Sequence, residues 1–546
     1  MPFQNPVLRG FNPDPSLCRV GNDYYMATST FEWYPGVQIH HSRDLANWEL
    51  VSRPLTRAAQ LDMRGNPDSC GVWAPALSYA DGLFWLVYTN VRRYDGNYKD
   101  TPNYMVTAPT INGPWSDPVY LNASGFDPSL FHDDDGRKWL VNMRWDHRAT
   151  MEHRDLPLDF FGGVVLQEYD VEARKLVGPV KQIFHRSPLG YTEAPHLFKR
   201  EGRYYLITAE GGTGYNHAVT HARADAIDGP YELHPNWHVL SAKDAPENPL
   251  QRTGHGQPCE GPEPGTMVHS FLCTRPLPDT GAGRHSPLGR ESGIELLEWA
   301  EDGWLYRRGG GMVPEQTPAF GGTARPLPAE SVTRFEPGDL PQDFQWLRTP
   351  EPDRIFDLQA RPGWLRLIGR ESIGSWFEQA LVARRQTEHH VEAEVLVDFE
   401  PVDFQHMAGL VAYYGRHQFY YLNISCDDAG ARRLGIQCCA GDWPEASLTY
   451  PIGDGIALPE GPVWLSLTIR YGSLQFRCRM DGQNDWQDIG PALDAAILSD
   501  EGGRGEHANF TGCFLGMAAQ DITGQGATAD FSSFTYRTPE NTQGGN

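Results

Sequence analysis

A short motif with a proline in its middle recurs along this chain and limits it to few folds. It reads "DPSL" at Asp14, "APAL" at Ala74, "DPSL" at Asp127 and "APHL" at Ala194, at intervals of roughly 50–70 residues. Roughly ten residues after each motif comes a turn signal and then an aromatic, β-branched run. These runs are "NDYYMATST", "DGLFWLVYT", "DGRKWLVNM" and "EGRYYLITA". A fifth unit, "GHGQPCEGPEPGTMVHSFLC", follows at a similar distance. Helical periodicity is scarce throughout. Repeats of this length, each made of several strands, point to an all-β fold that begins with a five-bladed β-propeller over residues 1–320.

A propeller gives the motif a meaning. If each motif opens the innermost strand of a blade, equivalent positions all face the central axis. Asp14, Trp73, Asp127, Glu193 and His255 stand at those positions or one residue away. A lone Asp beside Pro reads as a turn, because Pro fixes its own φ and biases its predecessor toward extended geometry. Repetition favours a second reading, in which carboxylates distant in sequence are gathered on one axis.

From about Gly321 the texture changes. Residues 321–354 are dense in Pro and Gly and read as a linker. Beyond it, "HHVEAEVLVDF", "HMAGLVAYYG", "QFYYLNIS", "VWLSLTIRYGSLQFRCRM" and "CFLGMAAQD" alternate apolar and polar residues. That pattern suits antiparallel strands with one buried face, so residues 355–537 are expected to form a β-sandwich. Residues 538–546 read as a frayed tail.

Composition narrows the partners. The formal net charge of −24 argues against nucleic acid or an anionic membrane surface and suits a neutral substrate. No basic stretch precedes an apolar one at the N-terminus, so no signal peptide is read. No apolar run is long enough to span a membrane. The nine cysteines are an odd count, with Cys438 beside Cys439 and no CxxC pair of zinc-site spacing. They read as mostly reduced and structural, which favours the cytoplasm.

Three acids on one axis suit a reaction that needs both a proton donor and an activated water, and glycoside hydrolysis is the commonest of these. A third carboxylate nearby raises the donor's pKa by like-charge repulsion. Calcium binding uses similar oxygens, so spacing alone leaves both readings open. Other signals fail. "HDDDGRK" lacks the closing bidentate acid of a calcium loop, and its Asp135-Gly136 reads as a hairpin turn. "EGGTGYNH" lacks the Lys-Ser/Thr of a phosphate loop, and "EHHVEAE" lacks HExxH spacing.

The motifs "GFNPDPS", "GVWAPAL", "FDPSLF", "YTEAPHL", "PLGRES" and "FTGCFLGMAAQD" together resemble the β-xylosidases of glycoside hydrolase family 43. The resemblance is to the group with a five-bladed propeller and a C-terminal, concanavalin-like β-sandwich. It implies an exo-acting, inverting β-1,4-xylosidase that releases xylose from the non-reducing end of xylo-oligosaccharides. Asp14 is then the general base, Glu193 the general acid, and Asp127 the residue that tunes and orients the acid. By the same resemblance Arg290 binds sugar hydroxyls, and Phe31 and Trp73 wall the terminal-sugar subsite. Phe510 reaches over from the sandwich to close it. Where the group often has Thr after "GRE", this chain has Ser292, which keeps a hydroxyl. His255 has two readings: a single protein ligand to a divalent cation such as calcium, or a histidine hydrogen-bonded to Asp or substrate. No cofactor is required on either reading.

Two alternatives stand beside a xylosidase. One is an α-L-arabinofuranosidase or a bifunctional enzyme, because the two sugars present similar hydroxyls. The other is a carbohydrate-binding protein without catalysis, against which the three intact acid motifs speak. Enzymes of the resembling group form dimers or tetramers, so a homo-oligomer is expected.

Overall fold

Five antiparallel sheets follow one another along the first part of the chain in the computed structural model, which describes residues 2–150, 160–279, 284–505 and 508–539. Each begins with a strand at the repeated motif: Ser16–Val20, Gly71–Ala80, Ser129–His132, Glu193–Arg200 and Gln251–Gly254. The following hairpin strand is the aromatic run anticipated from sequence: Asp23–Thr28, Leu83–Val91, Lys138–Trp145 and Arg203–Glu210. Turn chemistry explains the hairpins. Asp81-Gly82 and Glu201-Gly202 take positive φ at both positions, as a two-residue turn matched to strand twist requires. Asp135-Gly136 also lies in a hairpin turn, where the Gly136 N–H donates to the Asp133 carbonyl.

The motifs form the inner seam of the ring. Ser16 Oγ donates to Gln257 Oε1 of the fifth blade (2.5 Å) and accepts from the Leu77 N–H of the second (2.8 Å). Ser129 Oγ of the third blade donates to the Pro195 carbonyl of the fourth (2.5 Å). The ring closes where the N-terminal segment lies against the fifth blade. Leu8 and Ser292 exchange backbone hydrogen bonds, and the Asn5 side chain bonds both backbone groups of Ile294.

One backbone feature is common to the motifs. Asp14, Ala74, Asp127 and Ala194 each precede the motif proline with φ of 56°, 30°, 54° and 49°, and His255 in the fifth has 39°. A non-glycine residue before proline strongly disfavours this left-handed region. Such strain persists where surrounding structure over-determines it, and it collects at functional sites. Here the kink interrupts the ladder: pairing shifts register between Trp73 and Ala76 and between Glu193 and His196. Side chains at the kink leave the sheet plane, as β-bulges allow.

The second unit gathers Pro326–Asn546 with two short stretches from earlier in the chain, Asp62–Ser69 and Pro276–Gly289. One of its sheets runs Phe356–Asp357, Leu365–Ile368, Thr528–Arg537, His390–Asp398, Val463–Arg470, Ser473–Met480, Gln487–Asp494. The other includes Ala380–Arg385, Phe514–Asp521, His406–Gly415, Gln418–Cys426 and Arg432–Ala440 in that order. In His390–Asp398 the alternation is as expected, with Val391, Ala393, Val395 and Val397 buried. Strands His406–Gly415 and Gln418–Cys426 are instead buried along almost their whole length, so both of their faces are covered. The Pro- and Gly-rich stretch 321–354 carries two short strands, Glu330–Thr333 and Phe344–Leu347. Most of the expected tail, residues 540–546, lies outside the described residues.

Both early stretches are bonded within this unit. Arg348, fully buried, donates to Asp68 Oδ1 (2.6 Å), the Asn66 carbonyl (2.7 Å) and Gln379 Oε1 (2.7 Å). The Ser286 N–H donates to Glu501 Oε2 (2.9 Å). No helix among the described residues is long and apolar enough to cross a membrane.

Candidate active site

Asp14 is a buried carboxylate among donors. Ser29 Oγ donates to its Oδ2 (2.6 Å) and Arg290 Nη1 to its Oδ1 (3.1 Å), while His255 Nδ1 stands 3.7 Å from Oδ1. Burial alone pushes its carboxyl up. Arg290, His255, the Ser29 hydroxyl and His217 outweigh that and hold it below the usual aspartate value. Arg290 reaches Asp14 because the N-terminal segment pairs with its strand: the Asn12 N–H donates to the Arg290 carbonyl (3.0 Å). Arg290 Nη1 also approaches Thr213 Oγ1 (3.4 Å), and its guanidinium lies 5.1 Å from the Phe31 ring centroid.

Glu193 has the opposite character. Its side chain is partly open, yet protein atoms crowd its carboxyl. Burial first, and then the Asp14 charge, push it up to about 8, against the pull of Arg290 and Lys99. Asp127 is also raised, by burial and by the charges of Glu193 and Asp14. Two carboxyls that repel each other in this way cannot readily be ionised together. Asp127 is tied to the same backbone as Glu193, because its Oδ2 accepts from the Ala194 N–H (3.1 Å). The fold therefore brings all three sequence-predicted acids within mutual electrostatic reach.

An aromatic wall adjoins them. The Phe31 and Trp73 rings are 5.7 Å apart, and Phe31 and Val72 exchange backbone hydrogen bonds across the first two blades. Trp73 in turn meets Tyr94 (5.7 Å) and Phe126 (5.5 Å). Aromatic faces of this kind suit the C–H faces of a pyranose.

Lys99 and Thr213 belong here too, and sequence reading passed over both. Lys99 Nζ sits 4.5 Å from the Trp145 ring centroid and 5.4 to 5.9 Å from those of Tyr94, Trp73 and Phe126. Burial lowers the Lys99 ammonium to about 8, opposed by the Glu193 charge. Aromatic faces stabilise a cation held in this way. Lys99 lies in a loop with no repeated motif. Thr213 lies inside "EGGTGYNH", which is informative only once its approach to Arg290 is seen.

His255 is buried and close to Asp14, and 3.7 Å is too long for a hydrogen bond. Burial pushes its imidazole below the usual value, with Asp14 opposing and Arg290 adding to the shift. Among the described residues no group of three or more His, Cys, Asp or Glu side chains is placed to hold a metal ion. A cation at His255 would therefore draw most of its ligands from water. Phe510 belongs to the second unit, where its N–H donates to Ser69 Oγ (3.1 Å) and the next residue, Thr511, donates to Tyr414 Oη (3.0 Å).

A lowered carboxyl and a raised one, gathered on a propeller that is followed by a β-sandwich, define a glycoside hydrolase. Residues 3–305 match the glycosyl hydrolases family 43, and residues 332–537 match the beta xylosidase C-terminal concanavalin A-like domain. The chain belongs to glycoside hydrolase family 43. It is 56% identical to "Xylosidase/arabinosidase 43B" of Humicola insolens over 98% of this chain and 97% of that one. With the "Beta-xylosidase" of Bacillus subtilis (strain 168) the identity is 45%, over 98% and 100% of the two chains. The crystal structure of xylan beta-1,4-xylosidase from Bacillus halodurans C-125 superposes with a TM-score of 0.92 at 45% identity, covering 98% of this chain and 100% of that one.

Proposed function

We propose that this chain is an exo-acting, inverting β-1,4-xylosidase that removes xylose from the non-reducing end of xylo-oligosaccharides. The observation that carries this reading is the contrast between Asp14, held ionised beside Arg290, and Glu193, held protonated by burial near Asp14. Asp14 takes a proton from water as the water oxygen attacks C1. Glu193 gives its proton to the glycosidic oxygen as the C1–O bond breaks. The products are α-xylose and the shortened oligosaccharide, with Asp14 left protonated and Glu193 ionised until solvent resets them. Asp127 orients the acid, Arg290 binds sugar hydroxyls, and Phe31 and Trp73 wall the terminal sugar. Proton NMR of the nascent sugar from a β-xyloside tests the mechanism: α-xylose first is expected, and β-xylose first would sink inversion.

Arabinofuranosidase activity alongside is the second reading, favoured by the paired activities in the name of the Humicola relative. Comparable kcat/KM on paired aryl xyloside and aryl arabinofuranoside would establish it. Phe510 is proposed to close the sugar site, so Phe510→Ala should mainly raise KM. Calcium beside His255 is a further part of the proposal. A rise in Tm on adding calcium that His255→Ala abolishes would support it. The nine free cysteines fit a reducing cytoplasm, and a dimer or tetramer by light scattering is expected.

A further inference from the structure

The kink that aims Glu193 also weakens its hold on the sheet. Glu193 pairs with Ala209, and the ladder resumes only at His196 with Ile207. Ala194, at φ 49°, and Pro195 are left between. Two bonds from the third blade hold this gap from one side: Asp127 on the Ala194 N–H and Ser129 on the Pro195 carbonyl. On the other side of Glu193, the chain from Ser187 to Thr192 approaches as a loop with no strand of its own.

A second carboxylate holds that loop. Glu210 ends the strand Arg203–Glu210 and is fully buried. Its Oε1 accepts from the Ser187 N–H (2.8 Å) and from Thr192 Oγ1 (2.8 Å). Its Oε2 accepts from Ser187 Oγ and from Thr220 Oγ1 (3.2 Å). All of these donors are neutral, and Ser187, Thr192 and Thr220 are themselves buried. A carboxyl buried without a cation is unfavourable unless its hydrogen bonds are satisfied. A carboxamide or hydroxyl could fill this space, but neither offers two oxygens that only accept. Two of the donors come from Ser187 and one from Thr192, so a single side chain fixes the loop at its first residue and at its last. Thr192 is the residue covalently bonded to Glu193.

We propose that Glu210 is a positioning residue for Glu193: by latching Ser187 and Thr192 it sets where the Glu193 carboxyl stands. The inference rests on the reading of Glu193 as the general acid. Displacing a reacting group by about 1 Å costs up to ~10²-fold in rate. The loss falls on substrates whose leaving group needs the proton.

The test compares xylobiose with an aryl xyloside whose leaving group is stable as an anion. Glu210→Ala removes both accepting oxygens and so frees Ser187 and Thr192 from their shared partner. It should lower kcat on xylobiose by roughly 10- to 10²-fold with KM little changed, and lower the aryl xyloside much less. In a Glu193→Ala background, Glu210→Ala should add no further loss on the aryl xyloside. Thr192→Val should reproduce a smaller part of the xylobiose defect, and Thr192→Ser should restore activity. That pair carries the test if Glu210→Ala does not accumulate as folded protein. Equal losses on both substrates, additive losses in the Glu193→Ala background, or equal xylobiose activity of the Val and Ser variants would overturn the latch. If Glu193→Ala itself hit both substrates equally, the assignment of the acid would fall first and the latch with it.

Discussion

Asp14 directly precedes its motif proline and Glu193 stands one residue further back from its own, at matching kinks in two blades, and their surroundings drive them apart. Asp14 faces a guanidinium, a hydroxyl and a histidine at close range. Glu193 has cations only at longer reach, a like charge in Asp14, and a carboxyl neighbour in Asp127. Repetition of a backbone therefore supplies direction, and the neighbours decide proton affinity. Two copies of one motif become an acid and a base.

The sharpest break of this contrast is Asp14→Ala. With no group to take the proton from water, xylobiose and an activated aryl xyloside should both lose roughly 10⁴-fold. An aryl xyloside left near full rate would end the assignment of the base. Glu193→Ala should be selective instead. Xylobiose should fall by about 10²–10⁴-fold while the aryl xyloside, whose leaving group needs no proton, is largely spared. Steady-state kinetics on the same two substrates decides this.

The pH profile sharpens the comparison further. In the free enzyme, kcat/KM should be bell-shaped, with an acid limb below the usual aspartate range, from Asp14, and an alkaline limb near pH 8, from Glu193. Asp127→Asn puts a neutral group where the carboxyl is itself raised by the Glu193 charge, so it takes little charge away from Glu193 and the alkaline limb should stay near pH 8. The accompanying loss on xylobiose, from the altered bond to the Ala194 N–H, should be roughly 10- to 10²-fold. A limb displaced toward acid would show instead that Asp127 is ionised while Glu193 holds its proton. Lys99→Met should give the smallest loss. It removes a cation that favours ionised Glu193, so the alkaline limb should rise. A limb that fell would mean that Lys99 does not act on Glu193 through its charge.

Much of this site was legible because a propeller repeats. The proline of each motif marks the kink, and the kink marks the axis-facing position, so Asp14, Asp127 and Glu193 could be read together with Trp73. The "PLGRES" motif did the same for Arg290. Lys99 escaped because it sits in an irregular loop and acts through a cage of aromatic rings from separate segments. Glu210 escaped because its partners, Ser187 and Thr192, are ordinary loop residues until a shared acceptor joins them. In the sandwich, period-two alternation located the strands. It did not show that His406–Gly415 and Gln418–Cys426 are covered on both faces, because burial there depends on what lies across each face.

Arg348 bears on how such a chain can be inherited. The buried guanidinium of the second unit is met by Asp68 and Asn66, which sequence order places between the first and second blades. A gene fragment starting in the 321–354 stretch therefore lacks the carboxylate that this arginine needs, and removing one partner of a buried pair costs about 3–5 kcal/mol. Shuffling of this sandwich as a stand-alone module is disfavoured. A graft onto another propeller would have to carry the acidic residue with it, written into a loop more than two hundred residues upstream. The two parts of the chain are bound to evolve as one.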